Sequence, residues 1–386
     1  MFYNTNMETY EKLKLLSSQM HLEPAEDTPC VQLSPRRQDK ISVSAAVLPN
    51  GKRISLLKSQ LSTVCERNCY YCPFRAGRDF QRATFSTDEF ARLFMALYQA
   101  HIAEGIFLSS GIIKNGTFTQ DKLIDTAEIL RYKLHFQGYI HLKIMPGAEH
   151  AQVERAMQLA DRVSINLEAP SSDRLAKLAP RKQFIEELLQ PLKWVNQIRQ
   201  NQPSYRGWNN RWPSSVTQFV ISAVGETDVE LLSTTEFLYK QLRLRRAYYS
   251  SFNPISDTPL ENVPPGSPLR EHRLYEASFL LRDYGFNLED LPFDINGHLP
   301  LDVDPKLAWA REYLTVKPVE INTTERQDLL HIPGIGPKSA QAILNARSIN
   351  RLNHPEDLYA LGVNLKRAAP FILINGKQAA YQTSFL

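Results

Sequence analysis

The chain has 386 residues, of which 43% are apolar, and a formal net charge of +4. This length and apolar content support a large globular domain with a smaller second module, and they exclude a disordered or fibrous chain. The charge is too small to indicate nucleic acid as a partner by itself. No run approaches the roughly 20 consecutive apolar residues that a membrane-spanning helix needs.

Three of the four cysteines stand in one short segment, which favours a reducing compartment and a metal site over disulfides. The first residues, MFYNTNMETYEKLKLL, lack the basic and then apolar layout of a secretion signal. We therefore expect a cytoplasmic protein without membrane association. Residues 1–48 are interpreted as an N-terminal extension, with one helix from Glu8 to Met20 and then a polar segment that contains several prolines.

From about residue 52, apolar strands alternate with amphipathic helices, a pattern typical of βα units around a parallel sheet. The predicted strands are Ile54 to Thr63, Gly105 to Ser109, Tyr139 to Ile144, Val163 to Leu167, Val216 to Ser222 and Ala247 to Ser251. The predicted helices are Ser86 to Ala103, Gln120 to His135, Ala148 to Leu159, Arg181 to Arg199, Asp228 to Leu242 and residues 270–286. The pattern predicts an α/β core over residues 49–305.

The first predicted strand leads into VCERNCYYCPF, where three and then two residues separate Cys65, Cys69 and Cys72. An electron-transfer 4Fe-4S cluster takes four cysteines, so three cysteines leave one iron open to a ligand from outside the protein. Two other interpretations stay open. The spacing also suits a buried helical stripe, although Pro73 disfavours helix at Cys72. Zinc usually needs four Cys or His ligands, and no second pair follows; Cys30 is interpreted as an ordinary free thiol.

The CxxxCxxC spacing, with Tyr71 just before the last cysteine, resembles the cluster loop of the radical S-adenosylmethionine (radical SAM) superfamily. The resemblance implies a 4Fe-4S cluster held by the three cysteines, with SAM on the open iron. It further implies that an electron from the cluster cleaves SAM to methionine and a 5'-deoxyadenosyl radical. The fold implied is a partial (βα)6 barrel, and an electron donor such as flavodoxin or ferredoxin is the expected partner.

Ligands of parallel βα folds meet the carboxyl ends of the strands. By the resemblance, SAM contacts are expected at Tyr71 and at the ends of the second, fourth and fifth strands: Ser109, Ser110, Gly111, Ser164, Asn166, Glu168, Gly225 and Glu226. The Ser-Ser-Gly run departs from the Gly-Gly-Glu form that is commoner in the family. The residues after the fourth and fifth strands are also compatible with helix capping.

Two further sets of residues accompany these strand ends. Tyr248 and Tyr249, on the sixth strand, are candidates for contacting substrate or relaying a hydrogen atom, with aromatic packing as the alternative. Arg67, Arg75 and Arg78 place positive charge around the cysteines, and at least two of the three are expected to be solvated.

The segment INTTERQDLLHIPGIGPKSAQAILNAR resembles a helix-hairpin-helix motif, with its turn at Gly334, Ile335 and Gly336. Such a turn exposes backbone N–H groups at the start of a helix, where they can bind a nucleic-acid phosphate. Charge near this turn and near a degenerate repeat of the motif comes from Lys338, Arg347, Lys366 and Arg367, with Gly362 in the second turn. Residues 306–386 are therefore predicted to form a small all-α module that binds nucleic acid, and a protein-docking hairpin is the alternative.

Barrel and hairpin together resemble a group of bacterial radical SAM proteins linked to DNA modification or repair. The leading hypothesis is a radical SAM enzyme that acts on nucleic acid, with DNA favoured over RNA. One alternative is a helix-hairpin-helix DNA glycosylase using Lys338 and either Glu356 or Asp357, although the cluster of such enzymes takes four cysteines after the hairpin and none follows Cys72. Another is a DNA-binding protein whose cluster senses redox state.

Overall fold

The computed structural model describes residues 8–17, 43–48 and 51–379. The chain divides into two compact units. The first comprises Met1–Glu226 and Leu238–Gly266, and the second comprises Thr227–Phe237 and Ser267–Leu386. The domain boundary predicted between residues 305 and 306 falls inside the second unit. Cys30 lies outside the described residues.

The first unit is built on a seven-stranded sheet in the order β1-β2-β3-β4-β5-β6-β7. The strands are β1 (Val43–Val47), β2 (Arg53–Gln60), β3 (Gly105–Ser109), β4 (Tyr139–Lys143), β5 (Arg162–Ser164), β6 (Ser214–Ile221) and β7 (Arg246–Ser251). Strands β2 to β7 are parallel, which confirms the predicted α/β half-barrel of six strands. Strand β1 pairs antiparallel with β2, so part of the segment interpreted as an extension belongs to the sheet.

Helices connect these strands. They are α1 (Thr9–Ser17), α2 (Thr87–Gln99), α3 (Gly116–Glu128), α4 (His150–Leu159), α5 (Ser172–Leu178), α6 (Gln190–Asn201) and α7 (Asp228–Leu242). Helix α2 begins with a capping box, in which Ser86 Oγ accepts from Glu89 N and the Glu89 carboxylate accepts from Ser86 N. The predicted helix over residues 181–199 is instead a π-helical turn at Phe184–Leu189 followed by α6, and the predicted strands and helices did not include α5.

The second unit contains helices and a small sheet. Its further helices are α8 (Pro268–Asp283), α9 (Pro305–Tyr313), α10 (Arg326–His331), α11 (Pro337–Arg347), α12 (Pro355–Ala360) and α13 (Leu365–Ala368). The sheet has the order β10-β9-β8, with β8 (Val319–Glu320), β9 (Ile372–Ile374) and β10 (Lys377–Gln378). The prediction of an all-α module is therefore wrong. Asn375 and Gly376 both take positive φ, 52° and 75°, and so form the Asn-Gly turn that favours a β-hairpin.

None of the helices in the described part of the chain is both long enough and apolar enough to cross a membrane.

A buried arginine, Arg131, links the segment that leads into β4 to the segment that leads into β5. The Arg131 guanidinium donates to the carbonyl oxygens of Leu159, Phe136 and Gly138 at 2.7–2.9 Å and to Asp161 Oδ2 at 2.9 Å. Burial lowers the pKa of Arg131 to about 10, although the Asp161 carboxylate opposes this shift. Removal of the guanidinium would leave buried acceptors without donors, which costs more than an exposed pair is worth.

We expect Arg131→Ala to lower the free energy of unfolding by about 3–5 kcal/mol, because it leaves the Asp161 carboxylate and three carbonyl groups buried without this donor. Urea denaturation followed by circular dichroism measures the change. Arg155→Ala, which removes a half-exposed pair with Glu128, is the matched control and should cost less than about 1 kcal/mol. Equal losses in the two variants would contradict this account of Arg131.

Candidate active site

A cavity of about 160 Å³ lies at the carboxyl ends of the parallel strands in the first unit. All three cysteines of the loop that follows β2 line it, together with the ends of β3, β4 and β7. Of the residues predicted to bind the cluster or SAM, the lining includes Cys65, Cys69, Tyr71, Cys72, Ser109, Ser110, Gly111, Asn166 and Glu168. Tertiary structure thus brings together side chains that lie up to about a hundred positions apart in the sequence.

Two of the three thiols lie in surroundings that oppose free thiolate charge. Burial raises the pKa of both Cys69 and Cys72, although the Lys182 charge opposes this shift at both. Because thiolates are the metal-binding form, Cys69 and Cys72 are favoured as thiolates by a positively charged centre beside them. At Cys65, the backbone N–H groups of Arg67 and Ile112 point at Sγ at 3.4 Å each.

The chemistry of the donor set fits the cluster that the sequence predicted. Three cysteine side chains line one cavity, and thiolates are the ligands that a 4Fe-4S cluster takes. Within the described ranges, no group of three or more His, Cys, Asp or Glu side chains converges on the position of one metal ion.

Gly111 allows the end of β3 to lie against the cysteine loop. A Cβ atom at this position would lie 2.4 Å from Val64 O and 3.2 Å from Cys65 Cβ. Any larger residue would push the loop away. The Ser-Ser-Gly run therefore lets β3 lie close to the cysteine loop, although it lacks the acidic residue commoner in the family.

Arg82 is a positioning residue that the sequence did not indicate. Its guanidinium donates to the carbonyl oxygens of Thr63, Phe74, Arg75 and Arg78 at 2.7–3.2 Å. These carbonyls flank the three cysteines on both sides, so Arg82 ties the two ends of the loop together.

The arginines within the loop are less solvated than predicted. Arg67 pairs with Glu187 at 2.6 Å, and Arg78 donates to Ser256 O and Pro73 O at 3.1 and 3.0 Å. The prediction that at least two of the three would be solvated is therefore wrong, because loop carbonyls and a carboxylate on the turn before α6 accept their N–H groups.

A buried ion pair lies beside the cysteines. Lys182 Nζ is 2.9 Å from Glu168 Oε1 and 3.1 Å from the Tyr71 hydroxyl. Glu168 is held in the left-handed region at φ 67° and is only 3% exposed. Burial alone would raise the pKa of Glu168, but Lys182, Lys143 and the Tyr71 hydroxyl hold it below its ordinary value. For Lys182, burial alone would lower the pKa, but Cys69 and Glu168 raise it above the ordinary value.

The pair is therefore charged at neutral pH and faces the cavity. Glu168 Oε2 is buried with no hydrogen-bond partner in the described structure, so one acceptor is available to a donor in the cavity. Sequence analysis had placed Glu168 in the site but had missed Lys182, since nothing in the segment after α5 shows that its side chain turns back to β5.

Five of the predicted residues do not line the cavity. They are Ser164, Gly225, Glu226, Tyr248 and Tyr249. The Glu226 carboxylate accepts from the backbone N–H groups of Ser222 and Val224, which closes the turn after β6. Tyr249 is fully buried and stacks on Phe219 with ring centroids 5.9 Å apart, while the Tyr248 hydroxyl meets Arg162 at 3.5 Å. Glu226, Tyr248 and Tyr249 thus have partners in the turn after β6 and in the packing of the sheet.

The candidate nucleic-acid residues lie in two helix pairs that pack together in the second unit. Gly334, at φ 85°, would bring a Cβ to 2.4 Å from Asn364 O, and Asn364 N donates to Gly334 O at 3.0 Å. Ser339 Oγ donates to Gly362 O at 2.8 Å. The turn between α10 and α11 therefore lies directly against the turn between α12 and α13.

The basic side chains of these helices divide into two kinds. Lys338, Lys366 and Arg367 are exposed, but Arg367 pairs with Asp304 at 2.5 Å. Arg347 is half-buried and donates to Ile321 O at 2.7 Å. The Asp357 carboxylate is likewise engaged, since it accepts from the N–H groups of Asn353 and His354 at the start of α12. Lys338 and Lys366 are therefore the charges that these helices offer to a phosphate.

A second cavity, of about 350 Å³, lies beside the first turn. Its lining includes Lys306, Gly334, Gly336 and Arg367. Lys306 Nζ donates to Ile335 O at 2.6 Å, while burial and the nearby Arg367 charge lower the pKa of this lysine to about 7. Sequence analysis missed Lys306, which stands 29 residues before its partner.

One family model matches residues within the first unit. Residues 59–206 match the family model described as the radical SAM superfamily. No curated protein shows a significant match to the chain. Among solved structures, methylornithine synthase is 16% identical with a TM-score of 0.46, covering 59% of this chain and 61% of that one.

Two further solved structures are similar at the same level. The hydrogenase maturase HydG from Carboxydothermus hydrogenoformans is 15% identical with a TM-score of 0.45, covering 59% of this chain and 51% of its own. Coproporphyrinogen III oxidase from Escherichia coli, titled a radical SAM enzyme, is 12% identical with a TM-score of 0.36, covering 58% and 51%. This chain thus spans between about half and three fifths of the length of these proteins.

The family match begins at Ser59, six residues before Cys65, and ends at Arg206, beyond Lys182 and α6. It therefore contains the whole cysteine loop and the buried pair of Glu168 and Lys182. Members of the superfamily are enzymes that use a 4Fe-4S cluster and SAM. We conclude that this chain contains a radical SAM superfamily domain.

Proposed function

We propose that the protein is a radical SAM enzyme that modifies or repairs nucleic acid, with DNA favoured over RNA. One observation carries the first part of the proposal: three cysteines line the same cavity as the Gly111 backbone and the buried pair of Lys182 and Glu168. Cys65, Cys69 and Cys72 would hold the cluster. When bound, the cluster and SAM supply a 5'-deoxyadenosyl radical and methionine, at the cost of one electron from a low-potential donor protein.

The residues around the cysteines fit the polar groups of SAM. Lys182 offers an ammonium group suited to the methionyl carboxylate, in a position where burial strengthens the pairing. Glu168 Oε2 offers a buried acceptor suited to a ribose hydroxyl or an amine. Ser109, Ser110 and Gly111 lie beside the cysteines at the end of β3, where backbone groups approach closely.

Support for a nucleic-acid substrate comes from the second unit. Helix α11 has eleven residues and begins at Pro337, so the N–H groups of its first turn have no partner further back in the helix. Lys338 adds an exposed charge at this end of α11, and Lys366 adds another in the first turn of helix α13. From Lys317 onward the chain carries eight Lys and Arg against five Asp and Glu. This set suits contacts to phosphate without reading of bases.

We expect Cys69→Ala to abolish 5'-deoxyadenosine formation, because two thiolates do not hold the cubane with one open iron. The protein is reconstituted with iron and sulfide without oxygen, reduced with dithionite in the presence of SAM, and analysed by liquid chromatography. Cys30→Ala is the matched control and should retain both iron and product. Product formation by Cys69→Ala, or none by the wild type, would overturn the enzymatic proposal.

We expect Lys182→Met to weaken SAM binding by roughly 10- to 100-fold, since it removes a charge-assisted hydrogen bond. Equilibrium dialysis with radiolabelled SAM measures the affinity, and iron content reports whether the cluster is retained. The control is Lys177→Met on α5, an exposed lysine that does not line the cavity. An unchanged SAM affinity in Lys182→Met would show that this ammonium group has no part in SAM binding.

For the hairpin, we expect Lys338→Glu to weaken binding of single-stranded and duplex DNA alike and to reduce the slope of log K against log salt by about 1. Fluorescence anisotropy with labelled oligonucleotides at several salt concentrations measures this. Lys133→Glu makes the same charge change at an exposed position of the first unit and should leave the slope unchanged. A wild-type protein that binds neither DNA nor RNA would contradict the nucleic-acid part, while leaving SAM cleavage untouched.

A further inference from the structure

Four amide side chains line the active-site cavity, and one of them, Asn253, is exposed. We call the other three, Gln60, Asn166 and Gln218, the amide set. Gln60 is the last residue of β2, Asn166 follows β5, and Gln218 lies on β6. All three are more than nine-tenths buried, at 7%, 8% and 4% exposure. Sequence analysis had singled out Asn166 alone, as a possible contact of SAM.

Two members of the amide set are bonded to each other. Asn166 Nδ2 donates to Gln218 Oε1 at 3.3 Å. This bond fixes the orientation of both groups and uses one N–H of Asn166 and the acceptor of Gln218. The carbonyl oxygen of Asn166 and the amino group of Gln218 are not part of it, so the pair still offers both an acceptor and a donor.

Gln60 differs from this bonded pair in its hydrogen bonding. Its Oε1 is buried and makes no hydrogen bond within the described structure. Leaving such an acceptor unsatisfied costs about 1–3 kcal/mol, and each instance in a folded protein calls for an explanation. Because Gln60 lines the cavity, a molecule bound there can supply the missing donor.

The chemistry of the amide set indicates which molecule. An amide places a donor and an acceptor side by side and is uncharged, so it matches the edge of a nucleobase, which presents the same groups in the same plane. A phosphate would instead be bound by cations, and the amide set carries none. In the proposed function the Lys182 ammonium, which also pairs with Glu168, binds the methionyl carboxylate of SAM.

We infer that the amide set binds the hydrogen-bonding edge of a nucleobase of the substrate, an inference that rests on the proposed function. The group presented to the radical would then be a base, or the sugar that carries it, rather than the phosphate backbone. Since all three amides are more than nine-tenths buried, such a base would have to come from a single strand or be flipped out of a duplex to reach them.

The test uses the reconstituted wild-type protein loaded with SAM but not reduced, so that no turnover occurs. Equilibrium dialysis measures the binding of each of the four 2'-deoxynucleosides. We expect at least one to bind, and Gln60→Leu to weaken that binding roughly tenfold, the effect of losing a paired base contact. The affinity for SAM should change less than twofold.

Gln137→Leu is the matched control, because Gln137 is exposed and lies outside the cavity. Gln60→Met keeps the length of the side chain and removes its amide acceptor and N–H donors. It therefore carries the test if the leucine variant loses its cluster or unfolds, and it should weaken the binding of the same nucleoside.

Three results would overturn the inference: no nucleoside binds, binding is the same in both Gln60 variants as in the wild type, or the variants weaken SAM instead, which would assign Gln60 to the SAM adenine. The proposed function fails separately, if the reduced wild-type protein forms no 5'-deoxyadenosine. A protein that forms this product but binds no nucleoside would lose the inference alone.

Discussion

The placement of three thiols in one cavity is the constraint on which the rest of the first unit depends. A buried thiolate is unfavourable without a positive partner, as the raised pKa values of Cys69 and Cys72 show. The loop that carries them has no regular secondary structure, so other residues must fix its shape. Arg82 does this through four carbonyl groups, and Gly111 does it by allowing β3 to approach without a Cβ atom.

Charge in the cavity is balanced around the same thiols. Lys182 acts on Cys69 as well as on Glu168, so one ammonium group offsets two acidic groups in a buried place. A buried pair of this kind is weak evidence for stability, since desolvation offsets much of the attraction. It is better understood as a prepared binding surface, because Glu168 keeps one oxygen without a hydrogen-bond partner in the described structure.

The second unit shows which structural features a local sequence pattern can predict and which it cannot. The two turns rich in glycine were evident from INTTERQDLLHIPGIGPKSAQAILNAR and its weaker repeat, and both turns are present between short helices. Which basic residues have partners within the unit was not evident. Arg347 and Arg367 look like Lys338 and Lys366 in the sequence, but carbonyl and carboxylate groups 26 and 63 positions away accept their N–H groups. The Asn375-Gly376 pair is typical of a β-hairpin turn, but the helical periodicity of the residues before it led to the prediction of an all-α module.

By itself, the sequence determined the six parallel strands, the cluster loop and the place of the site at the strand ends, because these depend on local periodicity and on short spacings between cysteines. Tertiary structure decided which polar side chains face the cavity. It brought in Gln60, Lys143, Lys182 and Gln218, and it placed Tyr248, Tyr249 and Glu226 elsewhere. The physical reason is that position along a strand sets the direction in which a side chain points. The residue that this side chain contacts belongs to another strand or loop, and the packing of the whole sheet decides where that residue lies.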